Sequence, residues 1–172
     1  MTSGATTLDK TLLVVYHTMT DGTRQMAEAA VQGARAASER VQVRSLRATD
    51  AGADEVLAAD GYLFATPENL ASMSGMMKDF FDRTYYAALD RISGRPYATL
   101  ICAGSDGEGA ARQIDRIALG WRLKAVAPAT IVITHAQTPE RIHARKVIGA
   151  ADLQRCAEVG AALAAGLELG LF

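Results

Sequence analysis

Short apolar runs alternate with helical patterns along most of the chain, and this alternation restricts the fold more than any other feature. Five runs have the length and composition of strands: residues 12–16, 41–46, 61–65, 97–103 and 129–134. Most of them lack polar alternation, which is typical of strands in a parallel sheet that is covered on both faces. The sequence therefore predicts an α/β fold with a five-stranded parallel sheet.

Between these runs, apolar residues recur at spacings of three and four, so each helix has one buried face. Clear examples are Met26, Ala30, Val31 and Ala34, and a set that begins at Met73 and continues through Met76, Met77, Phe80 and Phe81. Residues 54–59 are expected to form a short helix. Because crossovers are right-handed, few doubly wound strand orders are available, and the order 2-1-3-4-5 uses five strands. We expect one three-layer domain over residues 1–172, with residues 1–10 as a flexible N-terminus.

Composition excludes several classes of function. The net charge is −1 and the charges are mixed along the chain, which argues against nucleic acid and anionic membranes as partners. Neither a targeting segment nor a run of about 20 apolar residues is present, so we expect a cytoplasmic protein. Cys102 and Cys156 lie in apolar surroundings and are interpreted as small core residues, in preference to a disulfide, a redox pair or a metal site.

The turn after the first strand has the features of a phosphate site. It reads His17-Thr18-Met19-Thr20-Asp21-Gly22-Thr23 and leads into a helical pattern. Free amide groups and the positive end of the dipole at a helix N-terminus attract phosphate, and threonine hydroxyls add donors. Neither the Gly-Lys ending of a triphosphate loop nor the spaced glycines of a dinucleotide fingerprint is present. A monophosphate ligand is therefore favoured.

Two further loops should lie beside this turn, because ligands of open α/β sheets bind at the carboxyl ends of the strands, where the winding reverses. The loop after the third strand covers residues 66–74, and the loop after the fourth covers residues 104–109. Glycines in the second of these loops allow the backbone to approach a flat ligand and leave amide groups free to donate. The sequence thus predicts a ligand site built from three loops.

Several of these residues carry a resemblance that covers nearly the whole chain. The Thr18-x-Thr20-x-x-Thr23 turn, the Ala65-Thr66-Pro67 corner and the Ser74-Gly75-x-x-Lys78-x-Phe80-x-Asp82-Arg83 helix follow one another in the order of one fold. Together they resemble the flavodoxin-like flavoproteins, in particular the NAD(P)H-dependent FMN reductase and quinone reductase branch. No single motif is decisive, and the argument depends on their order and spacing.

The resemblance implies an FMN-binding oxidoreductase that takes a hydride from NAD(P)H and reduces a quinone or another small acceptor. It also implies a homodimer or homotetramer, and it assigns no catalytic side chain. The implied cofactor-binding residues are His17, Thr18, Met19, Thr20, Gly22, Thr23, Thr66, Pro67, Glu68, Asn69, Leu70, Gly104, Ser105, Asp106 and Gly107. One alternative is a one-electron carrier like flavodoxin, although such carriers are strongly acidic. Another is a relative that has lost the cofactor and binds a different phosphorylated ligand or a protein partner.

Asp21 departs from the family pattern, because it places a carboxylate beside the expected phosphate. We interpret it as a helix N-cap whose carboxylate faces solvent; an inward orientation would weaken FMN binding. Neither ring-contacting loop contains a tryptophan or tyrosine, so Met19, Leu70 and Met73 are the candidates to line the flavin. An open flavin face would suit hydride transfer from a second planar molecule.

The remaining polar candidates have simple structural interpretations beside their functional ones. His17 could donate to the phosphate or serve in packing, and His135 and His143 are expected at the surface rather than on a metal. Asp106 and Glu108 are interpreted as a solvated loop rather than an acid and base pair. Residues 134–149 form an unusually long connection, either a subunit contact or a flap over the ring, and its basic residues could receive the phosphates of NADPH.

Overall fold

The computed structural model describes residues 10–172. The strands are β1 (Lys10–Tyr16), β2 (Val41–Arg47), β3 (Gly61–Asn69), β4 (Ser72–Met73), β5 (Pro96–Ala103), β6 (Lys124–Ala125) and β7 (Thr130–Ile133). The helices are α1 (Gly22–Ala37), α2 (Ala53–Ala58), α3 (Gly75–Ala88), α4 (Glu108–Gly120), α5 (Pro139–His143) and α6 (Ala150–Leu169). The flexible N-terminus expected at residues 1–10 lies outside the described residues, except for Lys10, which is already part of β1.

The sheet has the predicted order. β1 pairs with β2 and β3, β3 pairs with β5, and β5 pairs with β7, all in parallel. Counted over the five main strands this is 2-1-3-4-5, so the doubly wound prediction is confirmed. The register aligns the strand ends: Tyr16 lies opposite Ala65, and Ala103 lies opposite Ile133. The carboxyl ends of β1, β3 and β5 therefore reach one edge of the sheet.

Two short strands were not predicted. β4 pairs antiparallel with the end of β3 and forms a hairpin at the carboxyl edge, while β6 pairs with the start of β5 ahead of β7. The hairpin also changes the start of α3, which was expected at Met73. Met73 belongs to β4, and α3 begins at Gly75 because the Ser74 hydroxyl accepts a hydrogen bond from the amide of Met77 and caps the helix.

Successive side chains of the strands enter two cores on opposite faces of the sheet. Leu12 and Val14 pack in the core beneath α1 and α6, whereas Leu13 and Val15 pack in the core beneath α2, α3 and α4. This alternation explains the continuous apolar runs, since both faces are covered. The helices α1 and α6 approach closely at two glycines: a Cβ on Gly33 would lie 2.0 Å from the Ala157 carbonyl oxygen, and one on Gly160 would lie 1.9 Å from that of Ala30.

Most of the large aromatic residues belong to the second core. Phe64 contacts four rings other than its strand neighbour Tyr62, at centroid distances of 5.1 to 6.5 Å; they belong to Phe80, Phe81, Tyr97 and Trp121. The Trp121 indole donates to the carbonyl of Tyr85, which satisfies its polar atom. Cys102 and Cys156 are buried free thiols, as predicted, and burial raises the pKa of each to about 11. Neither thiol is ionised near neutral pH.

Candidate functional site

The β1–α1 turn, residues 17–21, brings hydroxyl groups to the N-terminus of α1. Thr23 lies in the first turn of the helix and is 1% exposed, yet its Oγ1 has no hydrogen-bond partner beyond the neighbouring Cys102 thiol. The Oγ1 of Thr18 is buried and also has no partner. Buried hydroxyls are normally hydrogen-bonded, so unpartnered ones beside a helix N-terminus fit a site that a bound anion completes.

Asp21 is the N-cap residue, but it does not cap the helix with its side chain. Its backbone has a φ of 74°, and no hydrogen bond runs from its carboxylate to the amides of α1. The carboxylate instead pairs with the guanidinium of Arg24 and, at 2.7 Å, with that of Arg145. These contacts hold the pKa of Asp21 well below its usual range. The prediction of a solvated capping carboxylate is therefore wrong, because two arginines neutralise the charge.

The β7–α6 connection, residues 134–149, folds back onto this turn. The amide of Lys146 donates to the carbonyl of Thr20 at 2.8 Å. The Gln25 side chain donates to the carbonyl of Lys146 at 2.8 Å and accepts from the amide of Ile148 at 3.1 Å. With the Asp21–Arg145 pair, these bonds attach the connection to the N-terminus of α1. The connection therefore lies beside the predicted phosphate turn.

His17 and Thr66 belong to a polar network beneath the cleft. The hydroxyl oxygen of Ser74 lies 2.8 Å from the Nδ1 of His17 and 3.2 Å from the hydroxyl oxygen of Thr66. Partial burial, with a smaller effect of Arg47, lowers the pKa of His17, so the neutral imidazole is favoured. Thr66 is fully buried. The structure therefore places these two predicted ligands in a supporting position, where they join the strand ends to the cap of α3.

The carboxylate of Glu68 joins the other two loops. Its oxygens accept hydrogen bonds from the amide of Gly107 at 2.8 Å and from that of Ala110 at 3.1 Å. A side chain of β3 therefore supplies acceptors for free amide groups at the start of α4. Gly107 has a φ of 89°, a backbone conformation that favours glycine. Asp106 and Glu108 are exposed, as expected for a solvated loop. Asp106 and Gly107 thus shape the loop and do not line the cleft.

A cleft of about 530 Å³ opens between these loops, within the usual size range of small-molecule sites. Of the predicted ligands, it is lined by Met19, Thr20, Gly22, Thr23, Pro67, Glu68, Asn69, Leu70, Gly104 and Ser105. Five of the predicted ligands do not line the cleft: His17, Thr18, Thr66, Asp106 and Gly107. The lining also includes residues that the sequence argument missed: Ala71, Cys102, Ala103, Thr134, Ala136, Ile142 and Lys146.

The two ends of the cleft differ in chemistry. Thr20, Gly22, Thr23 and Lys146 form a polar end beside α1, which we call the anion end. At the other end, which we call the open end, Leu70 is fully exposed and Met19 is 66% exposed. Met73, predicted to reach the flavin, is instead buried in the core. Within residues 10–172, no aromatic side chain lines the cleft.

Fold comparison places the protein among flavodoxin-like structures. It superposes on a flavodoxin from the domain Archaea with a TM-score of 0.73 at 20% identity, covering 92% of this chain and 99% of that one. The flavodoxin WrbA-like protein from Agrobacterium tumefaciens gives a TM-score of 0.69 at 19% identity, with 94% and 99% covered. At these identities the likeness shows the fold alone.

Sequence comparison defines the family. The NADPH-dependent FMN reductase family matches residues 20–139, so the chain belongs to that family, as its motifs predicted. FMN is the cofactor that this membership implies. A flavodoxin from Aquifex aeolicus is 35% identical, over 57% of this chain and 52% of the relative. An NAD(P)H dehydrogenase (quinone) from Acidithiobacillus ferrooxidans is 34% identical, over 42% and 46%. The chain thus spans about half the length of these curated relatives.

The described residues contain neither a membrane-spanning helix nor a cluster of metal ligands. None of the helices in residues 10–172 is long and apolar enough to cross a membrane. In the same range, histidine, cysteine and carboxylate side chains do not form a cluster of three that would hold a metal ion. His135 and His143 are both exposed, in agreement with the surface position predicted for them.

Proposed function

We propose that this protein binds FMN in the cleft and acts as an oxidoreductase, taking a hydride from NAD(P)H and reducing a quinone or another small acceptor. The observation that carries the proposal is the pairing of polar donors at the anion end, among them the buried Thr23 hydroxyl, with an apolar, accessible surface at the open end. Bound FMN supplies the redox chemistry of such a protein, and the chain supplies binding, orientation and electrostatics.

At the anion end, the phosphate would be held by the Thr20 and Thr23 hydroxyls and the first amides of α1. Asp21 does not oppose this, since Arg24 and Arg145 hold its carboxylate. A hydroxyl and a helix N-terminus both favour an anion, and the turn is too short for a diphosphate. These groups would fix one end of the cofactor and thereby set the position of the other.

The Pro67–Leu70 stretch and the Gly104–Ser105 loop both line the cleft. The amides of Gly104 and Ser105 are suited to stabilise negative charge on the pyrimidine side of a reduced flavin, and the backbone at Glu68 and Asn69 to tune its potential. Because no aromatic ring covers this surface, a nicotinamide or a planar acceptor could approach the flavin. We assign no general base among the described residues that line the cleft, in keeping with hydride transfer.

An anaerobic absorption experiment tests the proposal. The purified protein is incubated with FMN, desalted, and mixed with NADPH, and the flavin band is followed. Retained flavin that bleaches supports the reductase, retained flavin that does not bleach favours the one-electron carrier, and absence of retained flavin contradicts FMN binding. The near-neutral charge of the chain favours the first outcome over the second.

Two threonine variants locate the binding site within the same experiment. A Thr20→Ala, Thr23→Ala double variant should retain roughly tenfold less FMN, because it removes two donors to the phosphate. Thr99→Ala is the matched control. Thr99 is also buried with an unpartnered hydroxyl, but it lies in β5 outside the lining of the cleft. Equal retention by all three proteins would contradict the assignment of the anion end.

A further inference from the structure

Lys146 brings a positive charge to the anion end of the cleft. Its ammonium nitrogen lies 3.2 Å from the Thr20 hydroxyl, and its side chain lines the cleft with Gly22 and Thr23. A Cβ placed on Gly22 would come within 3.2 Å of the Lys146 Cβ, so the two residues are in direct contact. The lysine thus reaches the N-terminus of α1 from a segment more than 120 residues away in sequence.

The ammonium of Lys146 is surrounded by neutral acceptors. It lies 2.8, 2.9 and 2.6 Å from the carbonyls of Arg141, Ile142 and Ala144, at the end of α5. Within residues 10–172 no carboxylate pairs with it, because the nearby Asp21 is held by Arg24 and Arg145. Four acceptors compete for three N–H groups, and the contact to Thr20 is the longest. The charge therefore lacks a counter-ion, which an anion in the cleft would supply.

An independent observation points to the same position. Thr23 lines the same cleft as Lys146, and its hydroxyl, in a residue that is 1% exposed, has no hydrogen-bond partner beyond the neighbouring Cys102 thiol. The hydroxyls of Thr20 and Thr23 and the ammonium of Lys146 thus give this cleft three donors for an anion. Charge-assisted hydrogen bonds of this kind are about twice as strong as neutral ones.

We propose that Lys146 is a direct ligand of the cofactor phosphate, delivered by the β7–α6 connection, and that it makes binding selective for the phosphorylated flavin. The inference rests on the proposed function. The backbone of Lys146 is already attached to Thr20 and Gln25, so the lysine loses little freedom when the anion binds. In this arrangement Asp21 orients the connection through Arg145 and contributes indirectly to phosphate binding.

The test compares FMN with riboflavin, which has the same ring system and no phosphate. Dissociation constants for both flavins are measured by fluorescence titration at low and high salt. Lys146→Met should weaken FMN binding by about 10- to 100-fold, as expected for loss of a hydrogen bond to a charged group, while riboflavin affinity changes less than about threefold. The wild type should lose FMN affinity with salt more steeply than the variant.

Two further variants separate charge from structure. Lys146→Arg keeps the charge and should retain most of the FMN affinity. Lys124→Met removes an equally charged, exposed side chain at β6, which pairs with the opposite end of β5, and should leave both affinities unchanged. Thermal unfolding of the flavin-free proteins, together with retained riboflavin binding, checks that the cleft of Lys146→Met is intact.

Each outcome decides the proposal. A selective loss of FMN affinity in Lys146→Met, rescued by Lys146→Arg, supports it. Unchanged FMN affinity overturns it, as does an equal loss for FMN and riboflavin, which would indicate a structural role for the lysine. In both cases a wild type that still binds FMN leaves the proposed function standing. A wild type that binds neither flavin would overturn the proposed function as well.

Discussion

The two ends of the cleft are built in different ways. At the anion end, two segments that are distant in sequence meet, the β1–α1 turn and the β7–α6 connection, and side chains such as Gln25 and Asp21 attach them to one another. At the open end, the side chains at the tip of the β3–β4 hairpin face solvent, although a Cβ on Gly109 of α4 would lie 2.1 Å from the Ala71 carbonyl oxygen. The tip residues Leu70 and Ala71 have φ values of 52° and 61°, and both side chains are exposed.

This difference indicates two kinds of recognition. A charged group is bound best by donors that are already in place, since little reorganisation is then needed. A flat apolar ring is bound by an accessible apolar surface. The hairpin tip exposes apolar side chains to solvent, but its non-glycine residues adopt left-handed backbone conformations, which lowers the stability of the folded protein. Changes at the anion end should therefore separate FMN from riboflavin, whereas changes at the open end should affect both flavins equally.

The largest effect is expected from Gly22→Val at the anion end. A Cβ on Gly22 would lie 2.7 Å from the Cys102 Sγ and 3.2 Å from the Lys146 Cβ, so the larger side chain must displace both. Overpacking of this kind costs about 1–3 kcal/mol, and we expect roughly 10- to 100-fold weaker FMN binding. Fluorescence titration with FMN and riboflavin measures the change, which should be larger for FMN.

Gly75→Val is the matched control for that variant. Gly75 is also the first residue of a helix, α3, but a Cβ at this position meets no atom within 4 Å. Its flavin affinities should equal those of the wild type. If Gly22→Val bound FMN as tightly as Gly75→Val, the close packing at the start of α1 would have no part in phosphate binding.

A smaller effect is expected when the hairpin tip is replaced by Asn-Gly. The double variant Leu70→Asn, Ala71→Gly places at both positions residues that tolerate positive φ in a two-residue turn, and should stabilise the protein by about 1 kcal/mol. Urea unfolding measures this gain. Since the variant also removes the apolar surface of Leu70, FMN and riboflavin affinity should fall together, by about threefold to tenfold.

Leu119→Asn provides the comparison for the hairpin. Leu119 is 74% exposed but lies in α4, where the backbone is helical and leucine is favoured. This variant should be slightly less stable than the wild type and should bind both flavins normally. A hairpin variant that gained no stability, or that lost only FMN affinity, would contradict the distinction between the two ends.

The smallest effect concerns His17, which lies beneath the cleft. Its pKa is lowered in the folded protein, so the unfolded chain takes up a proton first as the pH falls below about 6.5. The contribution of neutral His17 is therefore complete above that pH and declines as the pH falls toward the lowered pKa. In urea unfolding from pH 5 to 8, His17→Gln should lack this decline. His143→Gln, at an exposed histidine, should keep it.

Much of the fold could be predicted because its signals are local. The central strands β1, β3 and β5 are largely buried on both faces, so their sequences are mainly apolar, and the strand order followed from right-handed crossovers. The loops after β1, β3 and β5 were correctly predicted to lie at one edge of the sheet, because the carboxyl ends of parallel strands share an edge. Most of the residues that line the cleft in these loops were named from the sequence alone.

The predictions failed where a side chain is oriented by a distant segment. Asp21 is of a residue type that is preferred as a solvated N-cap, but its carboxylate pairs with Arg145, which is distant in sequence. His17 and Thr66 lie in the predicted loops, yet both hydrogen-bond to Ser74 and neither lines the cleft. Ile142 and Lys146 were included in the sequence predictions only within the long connection of residues 134–149, because no local sequence pattern shows where this connection packs.

The sequence by itself determined the architecture, the edge of the sheet where the cleft lies, and the turn whose residue types favour a monophosphate. These properties depend on periodicity and on residue types within a few positions of one another. Only the tertiary structure decided which groups meet in the cleft: the ammonium of Lys146 beside Thr20, the neutralised carboxylate of Asp21, and the exposed hairpin tip at Leu70. Such contacts depend on the free energy of packing between distant segments, for which no single stretch of sequence carries a signal.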